Sequence, residues 1–207
     1  MKTQLATVGA RGVDSLPFSQ GGTADEAAKL KDSGVDFFVG YLGTINPSRL
    51  GYLLDAGLAF MPVTRAASYD TASAVKACRD LGLTPGCTVW IDLEGKAAFQ
   101  SPPHELADKI DQWALAMIAA GYQPGLYVGS PQPFTGDELF RLKVVRYWKA
   151  PSRVVDRNGQ PWDGPQCGFC MYQLWPQSTW RGSGVFVDID FIHQDHLGRL
   201  PSWVVAD

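Results

Sequence analysis

The residues best able to do chemistry in this chain are carboxylates, and they fall in short runs of apolar sequence. Asp14 ends the run Gly12-Val13-Asp14. Asp92 and Glu94 end Val89-Trp90-Ile91-Asp92-Leu93-Glu94, and Asp188 and Asp190 end Val187-Asp188-Ile189-Asp190. Residues two apart on a strand point to the same side, so Asp92 and Glu94 share a face, with Cα atoms roughly 6–7 Å apart. Two neighbouring carboxyls are what glycosidic cleavage uses: one protonated to assist the leaving oxygen, one ionised to stabilise or attack the sugar carbon. Several acids in a partly dry pocket push one another's pKa upward, which supplies a proton donor near neutral pH. Single strand-end acids often cap the next helix instead. Acids on three separate strands make a cluster the better explanation, and a Mg²⁺ or Ca²⁺ site is an alternative use for them.

The elements that must position these acids alternate regularly. Strands are expected at residues 10–14, 35–41, 58–64, 87–92, 124–128, 144–150, 170–175 and 186–191. Helices are expected at 23–33, 47–56, 71–81, 103–120 and, more weakly, 135–142. Thr23 is a natural N-cap, and Gly34, Gly57, Gly82 and Gly121 stand where four of the helices should stop. Residues 103–120 carry Leu106, Ile110, Trp113, Ala114, Met117 and Ile118 at helical spacing. Strands separated by helices imply parallel pairing and right-handed crossovers. Eight such units point to an α/β fold, a compact (β/α)₈ TIM-type barrel with shortened helices in the second half. In that architecture the carboxyl ends of the strands carry the active site. No glycine-rich phosphate loop supports an open doubly wound sheet.

The 207 residues suit one domain spanning 1–207, near the lower limit of roughly 200 for a barrel of this type. A formal net charge of −3 argues against nucleic acid, which needs clustered Lys and Arg. No apolar run approaches the ~20 residues of a membrane span, and the first residues lack a secretory signal. The expectation is therefore a monomer made in the cytoplasm and released by lysis or delivered to the cell wall by another system. Cys167 and Cys170 form a C-x-x-C, but Cys78 and Cys87 supply no second close pair, so the thiols read as reduced rather than as a zinc site. His193 and His196 lack metal-pair spacing and read as part of a surface helix or tail; no metal and no cofactor are expected. The apolar end, Leu200 to Val205, could pack on the barrel or on a partner.

Taken in order, these motifs resemble glycoside hydrolase family 25, the lysozyme (N-acetylmuramidase) barrels, and the related glycoside-hydrolase-like barrels of unclear activity. The resemblance runs through Gly12-Val13-Asp14, Asp92-Leu93-Glu94, Gly121-Tyr122 with Gly125-Leu126-Tyr127, Tyr147-Trp148-Lys149-Ala150, Tyr172-Gln173-Leu174-Trp175 and Val187-Asp188-Ile189-Asp190. It implies a peptidoglycan-degrading glycosidase with Glu94 as general acid and Asp92 orienting or stabilising the reacting sugar. Asp14 and Asp188 complete the acidic pocket. Tyr41, Tyr127, Trp148, Gln173, Trp175 and Asp190 correspond to substrate-contacting positions, with Asp190 standing where the lysozymes more often have Asn. The segment Ser15-Leu16-Pro17-Phe18-Ser19 lacks the Asp-Trp usual in the lysozymes, and the stretch from Lys31 to Tyr41 is closer to the glycoside-hydrolase-like group. A catalytically inactive barrel serving as a cell-wall-binding or structural module is the alternative implied.

Overall fold

The computed structural model describes residues 1–65, 71–93, 101–151, 154–161, 164–179 and 183–207, with only the backbone of 175–179. Eight strands close a barrel: β2 (Arg11–Asp14), β3 (Phe37–Tyr41), β4 (Ala59–Arg65), β5 (Thr88–Leu93), β6 (Gln123–Val128), β7 (Arg146–Lys149), β8 (Met171–Thr179) and β9 (Phe186–Ile192). Each pairs with the next, and β9 returns to β2. The helices are α1 (Leu16–Gly21), α2 (Ala24–Asp32), α3 (Pro47–Asp55), α4 (Thr71–Asp80), α5 (Pro103–Ala119) and α6 (Gly136–Arg141). The barrel and its shrinking second half are therefore as expected: α5 has 17 residues, α6 only 6, and no helix is found among the described residues after β7.

Local chemistry explains the helix ends. Thr23 and Glu26 form a reciprocal capping box at the start of α2, which satisfies two of the amide groups a helix start leaves open. Gly34 and Gly121, just past α2 and α5, have φ of +89°, a conformation that costs glycine little. α1 was not anticipated, although Ser15 as N-cap and Pro17 in the first turn are a legible start signal.

The strands divide their side chains between two cores, following the two-residue period. Val13, Phe38, Phe60, Val89, Ile91, Leu126, Tyr147 and Val187 point outward against the helices, meeting Leu30, Leu53, Ile110, Trp113 and Met117. Phe37, Val39, Met61, Val63, Trp90, Tyr127, Trp148, Met171 and Ile192 point inward and fill the barrel. Gly12 belongs to the inner set because a Cβ there would lie 2.2 Å from the Phe37 ring; the aromatic occupies the space a side chain would need.

Two features depart from expectation. β9 runs antiparallel to both β8 and β2 rather than parallel. Only residues 180–185 separate β8 from β9, and so short a link can join antiparallel strands but not a parallel pair, which needs a crossover of a dozen residues or more. The second is a two-stranded ribbon formed by the chain ends, β1 (Lys2–Leu5) against β10 (Ser202–Val205). It pairs with β4 through Val204 and Phe60 and inserts Trp203 into the inner core. The apolar end thus packs on the barrel, closing the face opposite the strand ends that carry Asp14 and Asp92. Among the described residues no helix is long and apolar enough to cross a membrane.

Candidate functional site

The acids meet because strand register brings them together. Asp14 is the last residue of β2, where Ser15 turns the chain into α1: its hydroxyl accepts from the Phe18 amide at 3.2 Å and donates to the Phe186 carbonyl at 2.8 Å. That second bond ties the exit of β2 to the start of β9. Asp188 lies directly across from Asp14, and Asp190 across from Gly12 and Gln173. Because β9 descends, Asp188 is at its mouth end and Asp190 lies one inward position deeper, not further out as a parallel strand would have put it. Asp92, near the end of β5, is in register with Tyr127 on one side and Arg65 on the other. By alternation with Val13, Ile91 and Val187, which face the helices, Asp14, Asp92, Asp188 and Asp190 all face the barrel interior.

A chain of neutral donors crosses this floor. The Tyr127 hydroxyl donates to Gln173 Oε1 at 2.7 Å, and Gln173 Nε2 donates to Asp14 Oδ2 at 2.7 Å, so a residue of β6 fixes an acid of β2 through β8. Trp148 sits edge-on to Tyr127 at 4.5 Å and to Trp90 at 5.8 Å between ring centroids. With 2% of its surface exposed, Trp148 shapes the floor rather than presenting a ring face to solvent. At the rim, the Arg65 guanidinium lies 5.2 Å from the centroid of the half-buried Tyr41 ring, a cation–π distance. Sequence reasoning missed Arg65; its signal was its place at the end of β4, level with Asp92.

Electrostatics sets the protonation of the cluster. Burial pushes the Asp14 carboxyl up to about 7 from 3.8, Asp188 and Asp92 adding repulsion and the Gln173 hydrogen bond pulling the other way. Asp190, with no exposed surface, is pushed well above the carboxylate range, first by burial and then by Asp14 and Asp188. Asp14 and Asp190 make no ion pair among the described residues, so neutral donors and retained protons carry the compensation.

Of the expected site residues, Asp14, Asp92, Asp188, Asp190, Tyr127, Trp148 and Gln173 converge on this floor, and Tyr41 stands at its edge. Glu94 lies outside the described residues. Trp175 is on β8, with its side chain outside them too. Among the described residues no three His, Cys, Asp or Glu side chains are arranged as ligands to one metal ion. The four cysteines are buried and unbridged. His193 and His196 are not on a helix: Asp195 accepts from the amides of Leu197 and Arg199 and pairs with the Arg199 side chain, forming a turn instead.

No protein-family model matches this chain, and no curated protein matches its sequence. Solved structures do match its fold. The Tat-secreted protein Rv2525c of Mycobacterium tuberculosis, in complex with L-tartrate, superposes with a TM-score of 0.59 at 12% identity, over 90% of this chain and 96% of that one. GHIP, a glycosyl hydrolase 25 of Streptococcus pneumoniae described as a virulence factor participating in host cell invasion, gives 0.56 at 14% identity, over 89% and 87%. The CTP1L endolysin gives 0.54 at 13% identity, over 89% of this chain and 66% of that one. At these identities the likeness is one of fold.

Proposed function

We propose that the protein is a glycosidase of the lysozyme type that cleaves the glycan strands of peptidoglycan by carboxyl acid–base chemistry at the mouth of the barrel. The observation that carries this reading is the convergence of Asp14, Asp92 and Asp188 from three strands, with Asp14 held at about 7 by burial and by its acidic neighbours. An ion-pair network built for stability would alternate signs. This one gathers like charges over neutral donors, and an oxocarbenium-like transition state is the complement of such a surface.

In this reading Glu94, two residues past Asp92 in the sequence, protonates the leaving oxygen. Asp92 orients the sugar or stabilises the positive charge that develops on it, and Asp14 and Asp188 complete the negative wall. Tyr41, Tyr127, Gln173 and Trp175 border the sugar, and Trp148 backs them. The glycosyl hydrolase 25 and the endolysin among its fold relatives support peptidoglycan as the substrate class, and an endolysin offers release by lysis as a route to the wall. The test is release of reducing sugar from purified peptidoglycan by the unsubstituted protein, Glu94→Gln and Asp92→Asn, with binding to the insoluble glycan measured separately. A loss of about a hundredfold or more in Glu94→Gln, the scale of a missing general acid, with binding retained, supports the reading. Binding without turnover in every form replaces it with a cell-wall-binding module.

A further inference from the structure

Beneath the mouth lies a carboxyl that the proposed chemistry leaves without a task. Asp190 is fully buried on β9, and neither of its oxygens closes a hydrogen bond of standard geometry; the same holds for the buried indole nitrogen of Trp148. The groups around it are set by the strands. From β2 comes Asp14 and from β9 itself Asp188, both raising the cost of charge on Asp190, and from β7 comes the Trp148 indole, which lowers it. From β8, directly across, comes Gln173, whose Nε2 donates to Asp14 and whose Oε1 accepts from Tyr127. Asp92 on β5 acts on Asp14, and Arg65 on β4 lies at the rim over Tyr41. Asp190 therefore faces two carboxyls, one indole and the Gln173 amide, and it makes no ion pair among the described residues.

An ionised carboxylate only accepts hydrogen bonds, whereas a protonated one also donates. In this enclosure an ionised Asp190 meets two carboxyls, while a neutral one has an acceptor for its proton in Asp14, its diagonal inward neighbour on β2. We propose that Asp190 is a protonated positioning residue whose O–H donates to Asp14, holding Asp14 in place as the ionised member of the pair. Gln173 supplies the second donor, so Asp14 is gripped from β8 and β9 together. The directions of the two acids agree with this arrangement: the contact favours charge on Asp14 and disfavours it on Asp190. Two interacting acids titrate as a unit, and the proton resides on the more enclosed one.

The consequence for turnover rests on the glycosidase reading; the protonation state does not. The test is carboxyl ¹³C NMR of the full chain labelled at aspartate Cγ, assigned by through-bond correlation and checked with Asp190→Asn, from about pH 4 to about pH 9. The expected result is an Asp190 resonance that stays at the protonated position past neutrality. A resonance that titrates in the ordinary carboxylate range overturns the proposal whether or not the protein turns over glycan. Where turnover is measured, Asp190→Asn keeps a donor at every pH, so its kcat stays within severalfold of the unsubstituted protein and the alkaline limb of its pH profile moves outward. Asp190→Leu lacks the donor and loses on the order of tenfold or more in kcat with KM little changed. Equal pH profiles and equal kcat in the two variants would overturn the positioning role.

Discussion

Asp14→Asn is expected to make the protein more stable than the unsubstituted chain at about pH 8, by a margin that vanishes toward about pH 4. The folded carboxyl titrates at about 7 against an ordinary value of 3.8, so the folded state holds a proton over an interval in which the unfolded chain has lost it. Stability is therefore fully present below the unfolded value and declines as pH rises, until the folded group itself ionises. A rise of about three pH units at 1.36 kcal/mol each is on the order of 4 kcal/mol. Asparagine carries no charge, so it removes this decline, and its Oδ1 can still accept from Gln173. For a domain of this size, 1 kcal/mol corresponds to roughly 2–4 °C in Tm, so the variant should gain on the order of 10 °C relative to the unsubstituted chain between the two pH values. Thermal and urea unfolding at closely spaced pH values would measure it. A stability difference that stays constant from pH 4 to pH 8 would refute the claim that Asp14 is forced to ionise inside the fold.

Three further outcomes follow from the packing. Gly12→Ala drives a methyl into the Phe37 ring, 2.2 Å from the ideal Cβ, and should cost about 1–3 kcal/mol by denaturant unfolding, as overpacking does. Trp203→Ala removes the aromatic that the terminal ribbon places against Phe37, at 5.6 Å between centroids; a loss of roughly 3–5 kcal/mol is expected. A loss below about 1 kcal/mol would mean that the ribbon is not part of the core. Gln173→Leu strips the Tyr127 hydroxyl and Asp14 Oδ2 of a shared partner and should cost about 1–3 kcal/mol. Because that bond lowers the Asp14 carboxyl, its loss should also carry the pH-dependent decline in stability to higher pH, read from the same unfolding series.

The barrel was legible because its two hydrophobic periods are clean. Strand residues such as Val13 and Ile91 alternate with inward Asp14 and Asp92, and helices such as α5 carry their apolar residues at three- and four-residue spacing. The convergence of Asp14, Asp92 and Asp188 was legible for the same reason, since each stands at an inward position near the mouth. What sequence concealed was direction and depth. A strand's alternation is identical read either way, so only the brevity of the segment between β8 and β9 signalled an antiparallel β9, and with it the descent of Asp190 below Asp188. β1 and β10 are four residues each, and β1 is mostly exposed, so no periodic signal could mark them as partners across nearly the whole chain. Arg65 escaped notice because its meaning comes from two other strands, through its register with Asp92 and its place over Tyr41.

The central claim is that this mouth hydrolyses a glycosidic bond, and digestion of purified peptidoglycan in H₂¹⁸O, with immediate reduction and mass spectrometry of the fragments, tests it most directly. Attack of water at the sugar carbon puts one ¹⁸O into each new reducing-end sugar. The account predicts that label in the products of the unsubstituted protein and its loss with Glu94→Gln. Label in the peptide, or no released fragments from a folded, glycan-binding protein, would contradict it.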